Sequence, residues 1–182
     1  IEQAKQLTQL PRWSVKLNLL YGIGTLTPNV GAEVGLGERS SIDFSASFNP
    51  WNRKGTLANN KKISHAIIRG EYRWWFCERY NGHFFGAHAY YTNFNVSGHK
   101  VPILNFQNDQ RYQGYGFGAG LSYGYHLPIS RRWGIEFNVG VGAAWLNYDQ
   151  YDCRVCSDVN ERRTQWYFGP TRTGITLVFL IK

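Results

Sequence analysis

No stretch of the chain approaches the roughly 18 consecutive apolar residues that a membrane-spanning helix requires. Methionine is absent and cysteine is scarce. The missing apolar run excludes a helical membrane protein and, taken alone, reads as a soluble domain. That reading fails for one architecture. A barrel strand alternates lipid-facing and lumen-facing side chains, so its mean hydropathy stays low. What the chain does have in quantity is Gly, Tyr, Phe and Trp. Such a composition permits a barrel without demanding one, and at 182 residues a single domain is expected.

The first residues, Ile1 to Arg12, also lack something: the basic start and continuous apolar core of a signal peptide. If the protein is exported, the expectation is that this chain is its mature form. Ile1, Ala4, Leu7 and Leu10 fall three apart, which suggests a short amphipathic helix before Pro11, with a frayed terminus as the alternative. Residues 1–12 are read as a periplasmic N-terminal segment and 13–182 as the barrel.

Read in steps of two, the chain repeats one pattern eight times, in Trp13–Tyr21, Val30–Leu36, Ile42–Phe48, Ile68–Phe76, Phe85–Thr92, Tyr115–His126, Trp133–Trp145 and Thr171–Ile181. In Trp133–Trp145, for example, Trp133, Ile135, Phe137, Val139, Val141, Ala143 and Trp145 alternate with Gly134, Glu136, Asn138, Gly140 and Gly142. Successive side chains of a strand point to opposite faces, so each run has one apolar and one mainly polar face. Strands of soluble sandwiches alternate too, and three features separate the readings. Several runs exceed the usual soluble strand of about 5–6 residues and suit a tilted membrane strand of about 9–11.

If alternate strands run up and down, Trp13, Trp74, Phe76, Phe85, Tyr125, Trp133 and Phe179 gather at one end of the apolar face. Tyr21, Phe48, Tyr91, Tyr115 and Trp145 gather at the other, as interfacial aromatic girdles do. The connections Gly37–Ser41, Cys77–Gly82 and Pro128–Arg132 are short. Those around Pro50–Ile63, Val96–Gln113 and Asn147–Gln165 are long, with only Thr25–Asn29 brief on that side. Short periplasmic turns facing longer outer loops are the outer-membrane arrangement. The fold expected is all-β: an eight-stranded antiparallel up-and-down transmembrane β-barrel.

The inward register then carries Lys16, Arg69, Arg73 and Arg172 together with Glu33, Asp43, Glu71 and Glu136. An eight-stranded lumen is only wide enough for side chains, and an unpaired charge there is costly. A paired structural network and a plugged interior follow, in preference to an open pore or a proton path. The lumenal glycines of the sixth and seventh strands are expected to make room for long side chains from the facing wall.

His65, His88 and His126 also fall on the inward register, but no local spacing assembles a nucleophile, base and orienting acid. Cys153 and Cys156 lie in the last long loop and are candidates for a small disulfide, ahead of free thiols or a metal site. Cys77 reads as a small interfacial residue. No metal or cofactor is expected. Basic groups concentrate in the outer loops, at Arg53, Lys54, Lys61 and Lys62 and at Arg154, Arg162 and Arg163. They suit the phosphates of lipopolysaccharide or other anionic lipid, or are ordinary solvated charge. Nucleic acid is a poor partner for such a chain.

Several stretches resemble a family of uncharacterised outer-membrane barrels of the Bacteroidota, known as a domain of unknown function. They are Phe48-Asn49-Pro50-Trp51, Glu71-Tyr72-Arg73-Trp74-Trp75-Phe76-Cys77-Glu78, Asn81-Gly82-His83-Phe84-Phe85-Gly86 and Gly169-Pro170-Thr171-Arg172. The resemblance runs from Trp13 onward and implies an outer-membrane location, with no catalytic residues to carry over. The architecture also resembles the membrane domain of outer-membrane protein A, which does not settle function.

The function expected is that of a non-enzymatic structural or accessory subunit of a larger complex for secretion, surface assembly or uptake. Outer-membrane lipids and other outer-membrane or periplasmic proteins would be its partners. The alternatives are an enzyme acting on lipid A or peptides, through His126 near Ser130 or His83 near Ser97, and a surface binder using the basic loops.

Overall fold

The computed structural model describes residues 11–19, 29–49, 62–97, 111–151 and 161–181. Eight strands follow in chain order: β1 (Trp13–Asn18), β2 (Asn29–Gly35), β3 (Ser40–Asn49), β4 (Lys62–Trp75), β5 (Gly82–Ser97), β6 (Arg111–Pro128), β7 (Trp133–Tyr151) and β8 (Glu161–Ile181). Each pairs antiparallel with the next. The ring closes where β1 meets β8, from Trp13↔Ile181 to Asn18↔Thr176. Closure lets one sheet satisfy its own ladder without helices covering its edges.

Side-chain parity follows the sequence alternation closely. On β6, Tyr115, Phe117, Leu121, Tyr123, Tyr125 and Leu127 are exposed on the outer wall, whereas Tyr112, Ser122 and His126 are buried in the lumen. The same division holds on β1, where Trp13, Val15 and Leu17 point out and Ser14, Lys16 and Asn18 point in. The result inverts a soluble protein: the outside is apolar and the centre of the inside is charged.

Short connections cluster at the end that also holds both ends of the barrel chain, Trp13 and Ile181. They form a laced floor. The Gly35 amide donates to the Arg12 carbonyl at 2.8 Å, the Arg79 amide to Glu38 at 3.0 Å and the Leu180 amide to Arg132 at 2.7 Å. The Arg79 guanidinium adds a bond to the Gly37 carbonyl.

Three expectations need correction. The ladder runs further toward the loop end than the apolar alternation suggested. Residues 147–150 pair with 161–164, as in Asn147↔Thr164 and Gln150↔Glu161, where a loop was expected. Backbone hydrogen bonds do not depend on an apolar face, and the Arg162–Asp149 ion pair at 3.1 Å bridges the two polar arms.

Next, the β7–β8 register shifts at Gly140/Val141, because Gly140 pairs with Arg172 while Val141 pairs with Pro170. Thr171 is the extra residue of this β-bulge. Its hydroxyl meets the lumenal His88 at 2.8 Å, so it faces inward with Arg172 and not with the apolar wall.

The lumenal glycines, finally, receive rings from neighbouring strands and not from the facing wall. A Cβ at Gly118 would collide with the Tyr90 ring, and one at Gly124 with Phe84; both are cross-strand partners. The expected Tyr21, the helix over Ile1–Leu10 and most of the Thr25–Asn29 turn lie outside the described residues.

Candidate functional site

All eight strands contribute to one bonded cluster in the lumen. Lys16 on β1 lies 3.0 Å from Asp43 on β3 and 2.9 Å from Glu136 on β7, and it also contacts Glu33 on β2. Arg73 on β4 is the hub. Its guanidinium reaches Glu33 at 3.0 Å and Glu71 at 2.6 Å, and it grips Glu136 with two bonds of 2.8 and 2.9 Å. Arg172 on β8 reaches Glu71 at 2.9 Å and Asp43 at 3.4 Å. Ser122 on β6 donates to Glu71 at 2.9 Å, and His88 on β5 stands 3.6 Å from the same carboxylate.

Neutral donors complete the set. The Ser41 hydroxyl donates to Glu33, the Trp75 indole donates to Ser41 at 2.9 Å, and Asn138 donates to Glu136 at 3.0 Å. Arg69 stands a step toward the loop end. It donates to the Thr171 carbonyl at 2.9 Å and lies 5.5 Å over the Tyr90 ring. The Thr171 hydroxyl, bonded to His88, ties Arg69 back to the cluster. Each charge in this desolvated space meets an opposite charge or an oriented dipole, which is what makes its burial tolerable.

Two apolar layers flank the charges, and the sequence reading missed both. At the turn end, Trp75, Tyr80, Phe84, Val178 and Leu180 form a buried cluster. The Trp75 and Phe84 rings lie 4.8 Å apart, and His126 packs on Trp75 and Tyr80. Tyr80 reaches this position from the turn by adopting a left-handed backbone, φ 62°, a conformation uncommon for a bulky residue. Burial pushes the Tyr80 hydroxyl up to about 12, so it plugs the floor as a neutral phenol.

At the loop end, Phe94, Tyr112, Ala144, Leu146 and Tyr148 form the second layer. The signal for both was parity. Trp75 and Phe84 each follow or precede an outward aromatic, Trp74 or Phe85, so they point inward.

The expected histidines do occupy the inward register, with His88 and His126 buried. The pairs proposed for catalysis do not form. His126 is enclosed by aromatics, while Ser130 is exposed and its hydroxyl accepts from the Arg132 and Trp133 amides. His83 is the second residue of β5 and Ser97 its last, at opposite ends of a strand that spans roughly 45–50 Å at about 3.3 Å per residue. His83 is instead bonded through Nδ1 to the Tyr123 hydroxyl at 2.6 Å on the outer wall.

Among the described residues no group of three or more His, Cys, Asp or Glu is arranged to hold a metal ion. Cys77 is a free thiol exposed in the β4–β5 turn. Cys153, Cys156, Arg53, Lys54, Lys61 and Arg154 lie outside the described residues, and of Lys62 only its place at the start of β4 is described. Arg162 and Arg163 are exposed on β8.

A family model described as a protein of unknown function (DUF3575) matches residues 2–181. The chain belongs to this family. No curated protein and no solved structure matches it.

In this DUF3575 chain, the lumenal cluster joins side chains from all eight strands. Its carboxylates are each engaged by Lys16, Arg73 or Arg172, and the apolar layers at both ends separate them from the floor and the loop end. Within that space the Thr171 hydroxyl lies 2.8 Å from His88 Nε2, and His88 Nδ1 stands 3.6 Å from Glu71.

Proposed function

We propose that the chain is an integral β-barrel of a Gram-negative outer membrane, of the Bacteroidota type, that acts as a non-enzymatic structural or accessory subunit of a larger outer-membrane assembly. The observation that carries this reading is the inversion of polarity: an apolar outer wall around a bonded, charged and capped interior. A water-soluble barrel would expose Ile68, Leu121, Val141 and Phe168 to solvent, each of them more than half exposed. A contiguous apolar surface of that extent marks an interaction with membrane or protein.

The height of the apolar face supports the same reading. On β7 the outward residues are apolar from Trp133 to Trp145 and become polar at Asn147 and Asp149. Thirteen residues tilted by about 45° span roughly 25–30 Å, the height of a bilayer's hydrocarbon band. Aromatics rim that band, with Trp133 packed on Phe179 at one end and Tyr115 on Trp145 at the other. The occupied lumen argues against a diffusion pore, and the separation of His83 from Ser97 argues against the catalytic alternative.

A tag in the loop end, mild detergent extraction from native membranes and mass spectrometry of the associated proteins test the role. A large barrel or lipoprotein recovered in stoichiometric amount is the expected result. Recovery of a lone barrel under conditions that preserve known outer-membrane complexes contradicts it.

A further inference from the structure

The outer wall is not uniformly convex. On β4–β7 it carries a depression of about 530 Å³, within the range of small-molecule sites, about 300–1,000 Å³. Two cross-strand rows shape it. Trp74, Phe85, Tyr123 and Val139 are successive partners in the lower row, and Tyr72, Ala87, Leu121 and Val141 in the upper. Ala87 is the low point, a methyl between the tyrosine and leucine side chains on either side. The surfaces that meet an occupant are apolar side chains, so the depression selects a hydrocarbon and offers no partner to a polar ligand.

A polar pair sits at its turn-end rim. His83 is exposed on the outer face of β5, stacked on Tyr123 and packed at 4.6 Å on Tyr125. The Tyr123 hydroxyl, 2.6 Å from His83 Nδ1, belongs to a residue that also lines the depression. If Tyr123 donates that bond, the ring proton rests on Nε2, which remains a donor for a further acceptor. Around the depression, His83 is an ionisable base set among aromatic side chains. It lies level with Phe76 and Phe85, at the height where an aromatic rim meets lipid headgroups.

We infer that this wall binds one phospholipid of the leaflet at the turn end, with an acyl chain in the depression over Ala87 and a phosphate or ester oxygen accepting from the His83–Tyr123 pair. This rests on the membrane-spanning reading. The two features are contiguous through Tyr123, and they lie in the order that a lipid requires: headgroup partner at the rim, chain slot toward mid-bilayer. A second copy of the barrel would cover the depression equally well but leaves the His83 donor without an acceptor.

The test reconstitutes the full chain into phosphatidylethanolamine vesicles that contain a small fraction of the same lipid with a photoreactive diazirine in one acyl chain. Flotation confirms insertion, and peptide mass spectrometry after irradiation maps the label. The expected result is severalfold enrichment on peptides around Ala87, Leu121 and Val139 over those around Val15, Val30 and Phe44.

Ala87→Phe fills the slot on the outer wall without touching the lumen, and it is expected to abolish the enrichment. His83→Phe keeps the ring but removes the donor, and it is expected to reduce the amount of phosphatidylethanolamine retained in native mass spectra after detergent extraction. An inserted barrel labelled evenly on all strands, or labelled equally in the Ala87→Phe variant, overturns the lipid site while leaving the membrane reading intact. Photo-crosslinked dimers across this face overturn it in favour of a second copy. Failure to float with the vesicles overturns both readings.

Discussion

Arg73 touches Glu33, Asp43, Glu71 and Glu136 at once, and its loss would leave like charges crowded in a space without water to screen them. Removing one partner of a buried ionic set costs about 3–5 kcal/mol. Arg73→Met is therefore expected to destabilise the folded barrel by that amount, read as an earlier loss of the heat-modifiable band on a gel as urea rises. Combining it with Glu136→Leu removes one anion together with the cation and should recover part of the loss. Thr171 offers a smaller test. Thr171→Val keeps the shape of the bulge but deprives His88 of its 2.8 Å partner, which should cost about 1–3 kcal/mol in the same assay. These eight charges were legible in the sequence because a period of two places Glu33, Asp43, Glu71 and Glu136 on one face. Their connectivity was not, since neighbours in space are 120 residues apart in the case of Lys16 and Glu136.

At the scale of single elements, two adjacent tryptophans give the sharpest contrast. Trp75 is fully buried in the floor and Trp74 is more than half exposed on the wall. Trp75→Ala is expected to destabilise by about 3–5 kcal/mol through the void it opens beneath Phe84, while Trp74→Ala leaves that packing in place and should cost far less. Equal effects on unfolding would contradict the assigned parity.

The strands themselves were readable wherever Val, Ile, Leu and aromatics alternate with small or polar groups, as from Tyr115 to His126. They were not readable above Trp145, where Asn147 and Asp149 stand on the outer face and the hydrophobic signal stops although the ladder continues. The bulge at Thr171 was hidden for a related reason. One inserted residue shifts the parity of β8 between Arg172 and Pro170, and a strict two-residue period reads straight through it. The floor was hidden because Tyr80 enters it from a turn, which carries no period at all.

For the whole molecule, the proposed location turns on which surface would meet lipid. The closed order β1 to β8 and the placement of both chain ends beside the short turns could be reasoned from eight alternating runs, because an even number of strands returns the chain to its starting side. Charge balance across the lumen was legible too. The caps above and below the charges emerge only when the barrel is closed and inward residues from different strands come into contact, as Phe84 does with Val178 and Leu180.

The proposed membrane-embedded barrel is tested most directly by single-cysteine spin labelling along β6, at the odd positions from Tyr115 to Leu127 and at Ser122, in a background without the native cysteines and after reconstitution in vesicles. The account predicts that oxygen, which partitions into lipid, relaxes the labels at odd positions, with a maximum near Leu121. A water-soluble nickel reagent should fail to reach those positions. A label at Ser122, on the lumenal face, should be shielded from both and immobilised. Nickel access to the odd positions across the middle of the strand, or no difference between those positions and Ser122, would contradict it.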